Sequence, residues 1–97
     1  MRIISRKALK EFWATHPDAE GPLEAWFREV LHATWKTPAE LKAQYRSASV
    51  LNDKLVIFNI AGNKYRLAVR IFFDAQIVYI RFVGTHAEYD RMAPKGL

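Results

Sequence analysis

The chain has 97 residues, 51% of them hydrophobic and 13% aromatic, which suits a single packed domain over 1–97 and excludes a disordered chain. A formal charge of +5 and a pI near 9.7 favour an anionic partner, either nucleic acid or an acidic protein. There is no cysteine, so disulfides, thiolate nucleophiles and thiolate metal sites are excluded.

The opening MRIISRKALKEF has no apolar signal core, and no run approaches the roughly 20 apolar residues of a membrane span. The expected compartment is therefore the cytoplasm. Arg2-Ile3-Ile4 predicts a short edge strand. Ser5 is placed to cap a helix over 6–15, in which Leu9, Phe12 and Trp13 recur at i, i+3 and i+4. His16-Pro17 ends it, because the residue before a proline is pushed out of the helical region. Asp18 is then the expected cap of a second helix, with Pro22 in its first turn and Leu23, Trp26, Phe27, Val30 and Leu31 on one apolar stripe. Glu24, Arg28, Glu29 and His32 form its solvated side. Thr37-Pro38-Ala39-Glu40 is a capping box that opens a helix of about two turns, with Leu41 and Tyr45 inward. Residues 46–54 read as a loop that ends at Asn52-Asp53.

The richest stretch is 56–90. Three runs of β-branched and aromatic residues are separated by Gly62-Asn63 and Asp74-Ala75, which predicts a three-stranded antiparallel meander. Two-residue turns at these points set Asn59 across from Arg66, Phe58 from Leu67 and Val56 from Val69. They also set Leu67 across from Phe82, Val69 from Ile80 and Ile71 from Val78. Since side chains alternate between faces, one face collects Val56, Phe58, Ile60, Tyr65, Leu67, Val69, Ile71, Val78, Ile80 and Phe82. The other collects Asn59, Arg66, Ala68, Arg70, Tyr79 and Arg81. The first face needs a helical cover; the second is expected to be cationic and open. Beyond Gly84, Thr85 with Glu88 predicts a short helix over 85–92, followed by a frayed tail over 93–97. The fold class is α+β, a small twisted antiparallel sheet with N-terminal helices on one face and a short C-terminal helix.

Candidate chemistry narrows quickly. No spacing suggests a metal site, no glycine loop suggests phosphate cradling, and no motif activates Ser5, Ser47 or Ser49. His16 and His32 read as surface residues. His86 follows the last strand directly and shares a helix face with Tyr89, although a local structural role competes with a functional one. Arg66, Arg70 and Arg81 bring planar, permanently charged forks to one sheet face with no facing acid. Arginines, one histidine, tyrosines and an asparagine suit RNA cleavage without a metal. The 2′-hydroxyl is then the nucleophile, a base takes its proton, cations hold the charged phosphorus centre and an acid protonates the leaving 5′-oxygen.

The segments Phe58-Asn59-Ile60-Ala61-Gly62-Asn63-Lys64-Tyr65-Arg66-Leu67 and Val83-Gly84-Thr85-His86-Ala87-Glu88-Tyr89-Asp90 resemble the HigB family of bacterial toxins in the RelE superfamily. Ile3-Ile4-Ser5-Arg6-Lys7-Ala8-Leu9 and the capping box at Thr37 to Glu40 are similar to that family as well. The resemblance implies a RelE-like fold and a ribosome-dependent endoribonuclease that cuts messenger RNA at the A site of the small subunit, with no cofactor. It also implies neutralisation by a cognate HigA-like antitoxin carrying a DNA-binding helix-turn-helix. By position, Arg66 corresponds to the arginine on the scissile phosphate, and His86 to a site filled by arginine or histidine in relatives. Asn59 and Ile57 stand where the RelE branch has lysines, and Tyr89 lies near that branch's C-terminal tyrosine. The expected catalytic set is therefore Arg66, His86, Tyr89 and Asn59, with Lys64, Asn63, Arg70 and Arg81 binding RNA. Two other readings stay open: a non-nucleolytic toxin of RelE/ParE fold that acts by docking, and an RNA-binding module without catalysis.

Overall fold

The computed structural model describes residues 1–52 and 54–92. The element order is β1 (Arg2–Ile4), α1 (Arg6–Thr15), a 3-10 turn (Pro17–Ala19), α2 (Glu20–His32), α3 (Pro38–Gln44), β2 (Ser49–Val50), β3 (Leu55–Ile60), β4 (Tyr65–Phe72), β5 (Ile77–Thr85) and α4 (His86–Met92). The five strands form one sheet in the order β1-β5-β4-β3-β2. β1 runs parallel to β5 and the other neighbours are antiparallel. The α+β class, the meander, the edge strand and the terminal helix are all as expected; β2, inside the stretch read as a loop, is an addition. It is only two residues long, too short to show an alternation.

The apolar alternation of the meander drives burial of one face. Val56, Phe58, Leu67, Val69, Ile71 and Val78 share a core with Leu9 of α1, Leu23, Trp26 and Val30 of α2, and Leu41 of α3. Aromatic edges lock the layers together: Trp26 meets the Phe58 ring at 5.5 Å, and Tyr45 meets it at 5.0 Å. The ammonium of Met1 donates to the carbonyls of Leu31 (2.8 Å) and Ala33 (3.0 Å), placing a cation at the C-terminal end of α2, where the helix dipole favours it. Leu31 itself is 44% exposed, so the inward stripe of α2 is narrower than its spacing suggested.

Three local expectations are corrected. Ser5 occupies the N-cap position of α1 with an extended backbone, but its hydroxyl makes no capping bond. Asp18 does not cap α2, whose N-cap is Ala19; its carboxylate instead accepts from Lys64 Nζ and the Tyr65 hydroxyl. The third concerns register. The first hairpin pairs as derived, with Asn59 opposite Arg66, Phe58 opposite Leu67 and Val56 opposite Val69. In the second, Ile71–Val78 and Val69–Ile80 hold, but a bulge at Ala68/Val69 then sets Ala68 opposite Phe82 and Leu67 opposite Val83. Arg81 is the extra residue. Phe82 thus leaves the core face and joins Leu55, Ile57, Ala68 and Tyr89 in a second, smaller apolar cluster. The face expected to be open is therefore partly apolar and partly overlain by α4. The tail over 93–97 lies outside the described residues.

Candidate functional site

β4 carries Arg66 between two partners, Asn59 on β3 and Gly84 on β5. At this end of the sheet β5 passes straight into α4, so His86 is the first helical residue after Thr85. The junction is fixed by a complete capping box. Thr85 N–H donates to Glu88 Oε1 at 2.8 Å, and Glu88 N–H donates to Thr85 Oγ1 at 3.1 Å. The Thr85 backbone N–H holds the Glu88 carboxyl below its ordinary titration range. His86 N–H donates in turn to the Lys64 carbonyl at 3.2 Å, which ties α4 to the first hairpin loop.

Gly84 is needed for space rather than for backbone freedom. A Cβ there would lie 2.5 Å from Phe82 Cζ and 3.0 Å from Glu88 Oε1. In the hairpin loop Ala61 and Gly62 both adopt positive φ, 54° and 68°. The glycine carries this at no steric cost, whereas the alanine is in the sparsely populated left-handed region.

These supports bring two side chains together. Arg66 Nη2 lies 3.2 Å from His86 Nδ1, and Arg66 Nη1 donates to the Asn63 carbonyl at 3.3 Å. The opposite nitrogen of the ring, Nε2, is 3.1 Å from Asp90 Oδ2. The site is accessible, with the His86 side chain 45% and Asp90 62% exposed. Beside it, Asp18 bridges the turn before α2 to Lys64 and Tyr65. The Lys64 ammonium lowers the Asp18 pKa, Asp18 raises that of Lys64, and it raises that of the Tyr65 phenol. His16, read as a plain surface residue, stacks on Phe12 at 4.1 Å and meets the Tyr65 ring edge-on.

The other candidates are spread more widely. Asn59 lies across from Arg66, with its amide donating to the Ser47 carbonyl at 3.1 Å. Asn63 offers its carbonyl to Arg66. Lys64 is exposed, but its charge is shared with Asp18. Tyr89 packs its ring toward Phe82, 6.3 Å between centroids, in the small cluster. Arg70 lies four residues along β4 from Arg66, about 13 Å away at strand rise, between Leu55 and Tyr79. Arg81 is exposed at the bulge. Asp90 was missed by sequence reasoning, although its i, i+4 spacing from His86 inside a predicted helix was a usable signal. Among the described residues, no group of three His, Asp or Glu side chains could hold a metal ion. No helix there is long and apolar enough to cross a membrane.

Residues 19–92 match the family described as HigB toxin, the RelE-like toxic component of a toxin-antitoxin system. The chain belongs to the HigB toxin family. It is 37% identical over 92 residues to the mRNA interferase toxin HigB of Escherichia coli (strain K12), an alignment that covers 93% of this chain and 88% of that protein. The same identity and coverage hold for the mRNA interferase HigB of Shigella flexneri. A more distant relative, the mRNA interferase HigB of Escherichia coli O6:H1, is 23% identical over 94 residues, covering 95% of this chain and 91% of its own length. The motif resemblance is thus borne out across nearly the whole chain. As a HigB family toxin, it has a cognate antitoxin as its counterpart.

Proposed function

We propose that this HigB toxin is an mRNA endoribonuclease whose reaction centre is the Arg66–His86 pair. The observation that carries the reading is the 3.2 Å contact between a permanently charged guanidinium and an imidazole on an accessible surface. The relatives' name, mRNA interferase, supports the substrate class. Arg66 neutralises the scissile phosphate and the charge that builds on its oxygens during attack. His86 acts as the acid–base group, since histidine is the side chain whose ordinary titration range lies nearest neutrality. The 2′-hydroxyl is an internal nucleophile, so the step calls for no metal-activated water.

The remaining residues support this centre. Asn63 holds Arg66 through its carbonyl, and Asn59, opposite Arg66, lies along the path of the RNA backbone. Lys64, Arg70 and Arg81 extend positive charge along that path, and half-buried Tyr89 offers the free part of its ring for stacking on a base. Cleavage occurs in the ribosomal A site in the cytoplasm. The antitoxin is of HigA type, with a helix-turn-helix domain. Both features follow from the family resemblance.

Arg66→Ala and His86→Ala are expected to relieve growth arrest at equal expression while still binding antitoxin. In a translation reaction, primer extension with the parent should find new 5′ ends within codons at the A site. Intact message together with damaged DNA would instead identify a toxin that acts by docking to its target. Toxicity of either variant equal to the parent's would remove that residue from the centre.

A further inference from the structure

Two partners with fixed roles flank the His86 ring. A guanidinium has five donors and no acceptor, so Nδ1, 3.2 Å from Arg66 Nη2, can only accept. Nε2 lies 3.1 Å from Asp90 Oδ2, and because an ionised carboxylate only accepts, a hydrogen bond along that contact needs the hydrogen on Nε2. A neutral imidazole has one N–H, and only the Nε2–H tautomer satisfies both neighbours. The nearby charges are committed elsewhere: Glu88 to the Thr85 N–H and Lys64 to Asp18.

We propose that Asp90 is a positioning residue: it fixes His86 as the Nε2–H tautomer and so makes Nδ1 the atom that takes the 2′-hydroxyl proton. This rests on reading His86 as the acid–base group. In the free protein, Arg66 occupies the Nδ1 lone pair. When RNA binds, the guanidinium turns to the phosphate and the lone pair is released toward the ribose. The 2′-O–H bond then breaks and an N–H bond forms at Nδ1 as the 2′-oxygen bonds to phosphorus. The P–O5′ bond breaks with its electron pair going to the 5′-oxygen, which takes a proton from water. The hydroxide left behind collects the proton from Nδ1 and restores the neutral ring. While the ring is cationic, the Asp90 carboxylate faces its far side and keeps its own charge. Asp90 lies one helical turn from His86, so α4 itself sets the spacing of the pair.

The test uses the purified toxin and its D90A, D90N, H86A, H86A/D90A, R66A and R66A/D90A variants. Long-range proton–nitrogen NMR correlations of the His86 ring, recorded where it is neutral, should show a single Nε2–H form in the parent and in R66A, where Asp90 acts without the guanidinium, and mixed tautomers in R66A/D90A. D90N keeps a carbonyl acceptor and should keep the Nε2–H form. On programmed ribosomes, D90A should slow single-turnover cleavage about tenfold or more, within the 10²–10⁴-fold or so that an acid–base group supplies. The toxin concentration giving half-maximal rate should not change, and D90N should recover part of the rate. Asp90→Ala should add nothing in the H86A background. A parent ring in the Nδ1–H form would overturn the proposal, as would R66A/D90A with the tautomer of R66A, a D90A rate equal to the parent's, or an equal loss from D90A with and without His86. Full activity of H86A would overturn the acid–base assignment itself, and this proposal with it. Tautomer control absent while H86A is inactive overturns the role of Asp90 alone.

Discussion

The two faces of the sheet differ in what their residues are buried against. One face is roofed by α1 and α2 and contributes Val56, Phe58, Leu67, Val69, Ile71 and Val78 to a core in which each is at most 1% exposed. Among the described residues, the other buries Leu55, Ile57 and Ala68 in a smaller cluster, with Phe82 and Tyr89 partly covered, and also carries Asn59, Arg66, Arg70, Tyr79 and the start of α4. Strands β3 and β4 serve both, because consecutive side chains point in opposite directions. Stability is concentrated on the roofed face, and the proposed reaction centre lies on the exposed one. Substitutions at alternate positions of one strand should therefore separate the two properties.

The largest separation should come from Phe58→Ala. It removes the ring that packs edge-on with both Trp26 and Tyr45 and should cost about 3–5 kcal/mol in denaturant unfolding, a large share of a small domain's stability of about 5–15 kcal/mol. Arg66→Ala, on the exposed face, should lower the cleavage rate about 10²–10³-fold while leaving the unfolding midpoint nearly unchanged. A parallel loss of stability there would break the comparison. Gly84→Ala tests the packing beneath the site. Its methyl group meets the Phe82 ring and Glu88, and overpacking of this kind costs about 1–3 kcal/mol, readable as a lower melting temperature. Thr85→Ala removes the cap of α4 and should cost about 1 kcal/mol, seen as faster amide exchange confined to that helix.

The smallest effect is a pH dependence. The folded chain holds the Glu88 carboxyl below its ordinary value, chiefly through the Thr85 N–H. Folding thus favours the ionised form, and the contribution is fully present above the ordinary carboxylate range. It is lost as pH falls through the lowered folded value, so α4 should loosen below about pH 4. NMR shifts of the α4 amides should report this, and Glu88→Gln should abolish that part of the titration. Amide shifts that stay flat through the acid range in the parent would contradict it.

Much of this arrangement was legible in the sequence because it is local. The first hairpin's register, the 6–15 helix and the capping boxes at Thr37 and Thr85 each depend on residues a few positions apart. The Thr37 box is partly redirected, since Glu40 accepts from the Lys36 N–H rather than from that of Thr37. The Arg66–His86 contact was also within reach, since His86 follows directly on the end of the strand that pairs with the one carrying Arg66. Asp18 was misread because its partners, Lys64 and Tyr65, are 46 and 47 residues away, and a local cap is the only role that spacing can suggest. Phe82 was misplaced because nothing around Ala68 or Arg81 announces an irregular ladder. A bulge answers to the bend of the whole sheet and not to a nearby turn residue.

That irregularity also governs where the chain can vary in length. Removing Arg81 would restore an uninterrupted ladder in which Phe82 still meets Ala68, Val83 still meets Leu67 and Gly84 still meets Arg66. What disappears is the local kink and added twist that aim the end of β5 and the helix behind it. Deletion or insertion elsewhere in this strand reverses the orientation of everything beyond it. Family members that differ in size within β5 should therefore differ at Arg81, and a shortened version should fold normally yet present its imidazole at the wrong angle.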